Sequence, residues 1–247
     1  MKKNIACLIA FCICTLSLCA FDLLGSLHVD TFSGSHNVGF SFLAEENIIP
    51  KLAMRAEAEY LTEQEYDIQI LGVVKLSPVT LGGGFALEVT QNPQLPISPG
   101  MGLLCGWQAT ENFAIETSAI LAFTPENLGK LHDIRVKLNV FYNTENVNTD
   151  FSYKIKKGIA TSDFINTLAF QVEAFEQGVP VGLIVGAGSD IFIDTEGLGL
   201  MVSVAGGLNV YTGKYGTYFA KTKVGIFSLQ STSAIPYEIV AGARFSF

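Results

Sequence analysis

Through most of this chain, apolar and polar residues take turns. Leu52, Met54, Ala56, Ala58 and Tyr60 fall in one phase, with Arg55, Glu57 and Glu59 in the other. Tyr66, Ile68, Ile70, Gly72, Val74 and Leu76 oppose Asp67, Gln69 and Lys75. Phe113, Ile115, Thr117, Ala119, Leu121 and Phe123 oppose Glu116 and Ser118, and Ile134, Val136, Leu138, Val140 and Tyr142 oppose Arg135, Lys137 and Asn139. A period of two places alternate side chains on opposite faces of a sheet, so these runs read as strands with one apolar and one charged face. After residue 20 no stretch approaches the ~20 apolar residues that a membrane helix needs.

Alternation alone fits either a soluble β-sandwich, whose apolar face meets a core, or a transmembrane barrel, whose apolar face meets lipid. Run length, alternating connection lengths and the export leader of residues 1–20 favour the barrel, and composition and run-end aromatics agree with it. The chain is 49% hydrophobic and only 15% charged, against roughly 25% charged in ordinary soluble domains. The runs hold about ten residues each, the length of a tilted strand that crosses a bilayer. Aromatics stand at run ends on the apolar phase: Tyr60, Tyr66, Phe113, Phe123, Tyr142, Tyr218 and Tyr237. Tight connections (Ser77-Pro78, Thr110-Glu111-Asn112, Glu176-Gln177-Gly178 and Thr212 to Gly216) alternate with longer ones, QNPQLPISPG, TPENLGKLHD, SDIFIDTEG and QSTSAIP. Short turns at one rim and longer loops at the other are an outer-membrane pattern.

The first twenty residues, MKKNIACLIAFCICTLSLCA, open on Lys2 and Lys3, continue as an apolar run and close on small residues. That is the form of a secretory signal peptide, and the run is short for a membrane span. Leu16-Ser17-Leu18-Cys19 resembles a lipobox, but Leu18 stands where that motif wants a small residue. Cleavage after Ala20 is therefore expected, with residues 21–247 forming one barrel domain. Four of the five cysteines would leave with the leader, so Cys105 alone would remain and no internal disulfide could form. Without Lys2 and Lys3, 13 of the 15 basic residues face 23 acidic ones, a net charge near −10 that disfavours nucleic acid as a partner.

The chain ends YEIVAGARFSF, with Tyr237, Ile239, Ala241, Ala243, Phe245 and Phe247 in one phase. This ending resembles the C-terminal insertion signal of bacterial outer-membrane β-barrel proteins, in which a terminal aromatic follows hydrophobic residues at every second position. Tyr237, Ile239, Phe245 and Phe247 match the signal. The resemblance implies location in the outer membrane and a last strand read by the barrel-assembly machinery.

Fourteen runs are counted by pattern: 21–31, 37–45, 51–61, 66–76, 79–90, 100–109, 113–123, 133–143, 149–157, 164–175, 180–190, 198–211, 217–228 and 237–247. The expected fold is all-β, an antiparallel up-and-down transmembrane barrel of 12–14 strands.

By phase, the lumen receives Arg55, Glu57, Glu59, Asp67, Lys75, Glu88, Glu116, Arg135, Lys137, Lys154, Lys156, Glu173, Lys221, Lys223, Glu238 and Arg244. Acidic members dominate the early strands and basic members the later ones. In an open lumen, walls of opposite charge would set a field across a permeating solute and tune selectivity. In a narrow or plugged one the same charges would pair. The expected function is a passive channel for small hydrophilic solutes; the alternative is a structural or adhesin-type barrel whose surface loops bind partners.

Other chemistry finds little support. His132-Asp133 invites a dyad reading, but neighbours on a strand point to opposite faces and no nucleophile stands nearby, so no enzymatic activity is expected. Asp190, Asp194 and Glu196 are oxygen ligands without the spacing of a calcium loop, and a solvated loop is expected, with no metal or cofactor. Cys105 shares a phase with Met101, Leu103 and Trp107, which gives it an inert place on the lipid face.

Overall fold

The structure, a computed structural model, describes residues 21–31, 36–60, 65–90, 97–125, 127–159, 163–194, 197–212, 216–229 and 235–246. The expected leader and Phe247 lie outside these described residues. Fourteen strands follow one another: β1 (Phe21–Asp30), β2 (Asn37–Ile49), β3 (Leu52–Tyr60), β4 (Tyr66–Leu76), β5 (Val79–Val89), β6 (Ile97–Thr110) and β7 (Phe113–Thr124). Then come β8 (Asn127–Asn143), β9 (Val147–Gly158), β10 (Phe164–Phe175), β11 (Val181–Asp194), β12 (Gly197–Tyr211), β13 (Gly216–Ser228) and β14 (Tyr237–Ser246).

Each strand pairs antiparallel with its sequence neighbours, and β1 pairs with β14 from Asp22↔Ser246 to Asp30↔Glu238, so the sheet closes into a barrel. Closure removes the two unpaired edges that no sheet could leave open in hydrocarbon. The apolar phase faces out and is exposed all round, at Leu81, Phe85, Met101, Trp107, Leu183, Val185, Val204, Leu208, Ile226 and Ile239 among others. Cys105 stands exposed in this belt. A continuous apolar girdle of this extent on a closed barrel is a lipid-facing surface.

Two expectations about the connections need correction. TPENLGKLHD and SDIFIDTEG are mostly strand: β8 begins at Asn127, β11 runs to Asp194 and β12 starts at Gly197. The polar residues there read as loop, but Ile191, Ile193, Leu198 and Leu200 keep the alternation, and pairing continues to Asp194↔Gly197. β8 has 17 residues and β12 has 15, against the 9–11 or so that cross a bilayer. These hairpins therefore stand beyond the lipid at the rim opposite the one where β1 starts and β14 ends. Below, that opposite rim is the far rim and the other the near rim.

Tyr60 is a third correction. It was expected in the aromatic girdle, yet it is 4% exposed and its hydroxyl donates to Asp30 Oδ2 at 2.6 Å. The β2–β3 ladder ends at Phe42↔Ala58 on its far side, and past that point the Tyr60 N–H donates to Ser41 Oγ at 2.9 Å instead of to a strand carbonyl. Freed from the ladder, β3 turns its last ring inward, where it lies 5.5 Å from the His28 ring. Gly39 makes the seat: a Cβ there would come within 2.1 Å of the Tyr60 ring. Gly39→Val should displace the ring and lower stability by about 1–3 kcal/mol, the usual cost of overpacking. A urea midpoint equal to that of the parent chain would refute this seating.

Candidate functional site

The inward phase of the barrel carries its charged residues, and register brings them into layers. On β3, Arg55, Glu57 and Glu59 stand opposite Leu71, Gln69 and Asp67 of β4. On β8 and β9, Arg135 stands opposite Lys156 and Lys137 opposite Lys154. An acidic wall and a basic wall are thus built by neighbouring strands, and they face each other.

They meet in three layers. Toward the far rim, Arg135 of β8 engages Asp67 of β4 and Glu88 of β5, and its Nε lies 3.3 Å from Asp133 Oδ2. Lys156 adds contacts to Glu65 at 2.9 Å and Glu88 at 3.8 Å. In the next layer Lys137 lies 3.1 Å from Glu59, and Lys154 reaches the same carboxylate. Lower still, Arg55 forms a two-pronged bond to Glu116 of β7, with N–O distances of 2.9 and 3.1 Å, and touches Glu57 at 3.6 Å. Beneath Arg55, Ala53, Leu71, Val73 and Leu104 form a buried apolar cluster inside the barrel. The inward Gly102 leaves room for it, since a Cβ there would come within 2.8 Å of Leu71.

The arc from β10 through β14 to β2 is built otherwise. Among the described residues, the bonds that follow join strands no more than three apart and lie along the wall. Lys223 meets Asp190 at 3.2 Å, Lys221 donates to Gln171 Oε1 at 3.0 Å, and His28 meets Glu238 at 2.9 Å. Glu173 accepts from Asn209 at 2.5 Å, from Asn148 at 3.1 Å and from the Tyr211 hydroxyl. Arg244 is exposed near the near rim, where its charge acts on Asp150. At that rim, too, Lys75 is tied to Glu45 at 2.5 Å and to Asn47 at 2.8 Å.

The charges expected to confront each other across an open bore are therefore joined on one side of the barrel. Several partners escaped the sequence reading. Asp133 and Asp190 stood where a counted run meets a connection and were not taken as lumen residues, but both lie on strands with inward carboxylates. Asp133 stands two residues from Arg135, the spacing of one strand face, and it bonds to Arg135. Glu45, Glu65 and His28 were not singled out. Asp194 and Glu196 contribute no described side chain. Of the residues matched to the insertion signal, Ile239 is exposed on the outer surface, the Phe245 ring meets Tyr218 edge-on at 5.9 Å, and Tyr237 lies near His36.

No protein-family profile and no curated protein matches the chain. Solved structures do match. The Pseudomonas putida (P. putida) toluene transporter TodX superposes with a TM-score of 0.60 at 9% identity, covering 94% of this chain and 91% of that one. The CymD monoaromatic hydrocarbon channel gives 0.55 at 10% identity, with 94% and 90% covered. A bacterial polysaccharide outer membrane secretin gives 0.53 at 11%, with 92% and 98% covered. At these identities the likeness is one of fold. The chain has the closed antiparallel barrel fold of bacterial outer-membrane proteins, and its exposed apolar girdle suits that membrane.

Proposed function

We propose that this chain is a porin-like outer-membrane channel through which small hydrophilic solutes diffuse passively. The observation that carries the reading is the arc from β10 to β2, where polar and charged side chains of the described residues face inward and bond to partners along the wall. A 14-strand barrel is wide enough to hold water where nothing bridges it. Lys154, at 37% side-chain exposure, borders this arc, and Lys221, Lys223 and Arg244 lie within it. The near rim is then periplasmic, with the stiff hairpins of β7–β8 and β11–β12 outside the cell. The partners are lipid, the permeating solute and the assembly machinery, which would read Tyr237, Ile239, Phe245 and Phe247. Export would be directed by residues 1–20. No enzymatic role is proposed. Connections at the outer rim run to at most eight residues, 229–236 being the longest, which leaves little surface for an adhesin.

Planar-bilayer recording of the refolded chain tests the reading. Discrete conductance steps are expected; silence under conditions where a known porin conducts would overturn it. The selectivity residues can be sorted in the same apparatus. Lys221→Gln combined with Arg244→Gln should move the reversal potential toward cation preference, because both charges face the unbridged arc. Lys156→Gln should move it less, because Glu65 and Glu88 already hold that charge. Equal shifts would contradict the assignment of the path.

A further inference from the structure

We infer that Glu59 is a pin across the lumen that sets its bore and confines solute to the arc between β10 and β2. The inference rests on the channel reading for its consequence, and on geometry for the pin itself. Fourteen strands about 4.8 Å apart and tilted about 40° give a circumference of roughly 90 Å, hence a circular section roughly 28 Å across. β3 and β9 stand six strands apart, one short of diametrically opposite. A glutamate and a lysine meeting tip to tip span about half such a diameter. Yet Lys154 of β9 reaches Glu59 of β3, and Lys137 of β8 meets the same carboxylate at 3.1 and 3.2 Å. The section is therefore flattened along this line, and the carboxylate of Glu59 holds it so.

Glu59 is singled out by its place in the network. Arg135 binds carboxylates of β4 and β5 toward the far rim, Lys156 binds Glu65 just before β4 and Glu88 of β5, and Arg55 reaches only β7. Glu59 alone among the ion-paired described residues ties β3 to β9, the widest span bridged. It also serves two lysines. Removing its charge leaves Lys154 without its ion pair and Lys137 with Glu57 at 4.0 Å. Two ammonium groups side by side then repel each other and draw water between the walls. Solute on the packed side would still meet the apolar cluster and the Arg135 layer, so the gain in width falls where the lumen is already unbridged.

Glu59→Gln keeps shape and removes charge. It should raise single-channel conductance about twofold, since conductance follows the open section, and should admit polyethylene glycols that the parent chain excludes. Glu59→Asp, whose carboxylate is one methylene shorter, should fall between. Heat-modifiable migration on gels checks that both variants are folded. A second measurement needs no current: carbodiimide condenses a carboxylate with an amine in contact with it. Treatment of the folded parent chain should yield an amide between Glu59 and Lys154 or Lys137, read by mass spectrometry of peptides. A conducting parent with an unchanged Glu59→Gln variant would overturn the pin, as would absence of that amide. A silent parent that forms the amide would refute the passive channel and keep the pin. A silent parent whose Glu59→Gln variant conducts would do the same and show that the pin closes the lumen.

Discussion

Arg135→Leu should prevent the barrel from reaching its stable folded form. The guanidinium is 9% exposed and is shared by Asp67, Glu88 and Asp133, whose side chains are 9%, 2% and 2% exposed. Leucine would fill much of the volume but leave three carboxylates crowded together out of water. Breaking a buried pair by removing one partner costs on the order of 3–5 kcal/mol, and here one cation serves three anions. The cost is a large share of the stability of a typical domain. Lys156 stands 3.8 Å from Glu88, and its single charge cannot replace the forked guanidinium for all three carboxylates. Arg135→Lys should recover part of the loss, because an ammonium keeps the charge but cannot fork between Asp67 and Glu88. The check is the fraction migrating as folded barrel on unheated gels and the urea midpoint of refolded protein. A leucine variant with the parent midpoint would show that the carboxylates are not held by this residue.

Val204→Arg should be nearly as damaging, for the opposite reason. Val204 lies in the middle of β12, outward and 43% exposed, so the substituted guanidinium would face acyl chains. Arginine at the bilayer midplane of a barrel costs about 2–4 kcal/mol, falling to about 0–1 near the interfaces. Leu198→Arg supplies the contrast on the same strand. Leu198 is 62% exposed, but it sits in the hairpin that overruns the membrane, and its replacement should cost little. Unfolding titrations in phospholipid vesicles compare the two. Equal losses would place Leu198 in the membrane and contradict the extended hairpin.

The sequence made the strands legible because each keeps its period, and the fourteen runs counted from alternation correspond in order to β1–β14. Boundaries failed at Asn127–His132 and Ile191–Asp194, where the strands continue past the counted runs and polar residues among them do not mark loss of pairing. Tyr60 failed because its direction follows from a break in the β2–β3 ladder, a feature of register that no run of residues discloses. The inward phase named the charged residues but not their partners. Phase gives a face; which side chain meets which across a lumen depends on strand count, tilt and the shape of the section. Glu59 and Lys154 are 95 residues apart, and only the closed ring brings them together. The sequence reading expected an acidic and a basic wall to set a transverse field. Those walls become a lattice of bonds because they stand close enough to touch.

That lattice also makes the barrel wall mechanically uneven. From β3 to β9 the wall is cross-braced by struts that resist compression, with an incompressible apolar filling beneath them. From β10 round to β2 the shell is held by the ladder and by side-chain bonds that run along the wall. A squeeze from the surrounding lipid would be taken up by bending of that shell, much as a tube reinforced along one side yields along the other. Membrane thickness and lateral pressure would then act on the one part of the wall that borders the open path.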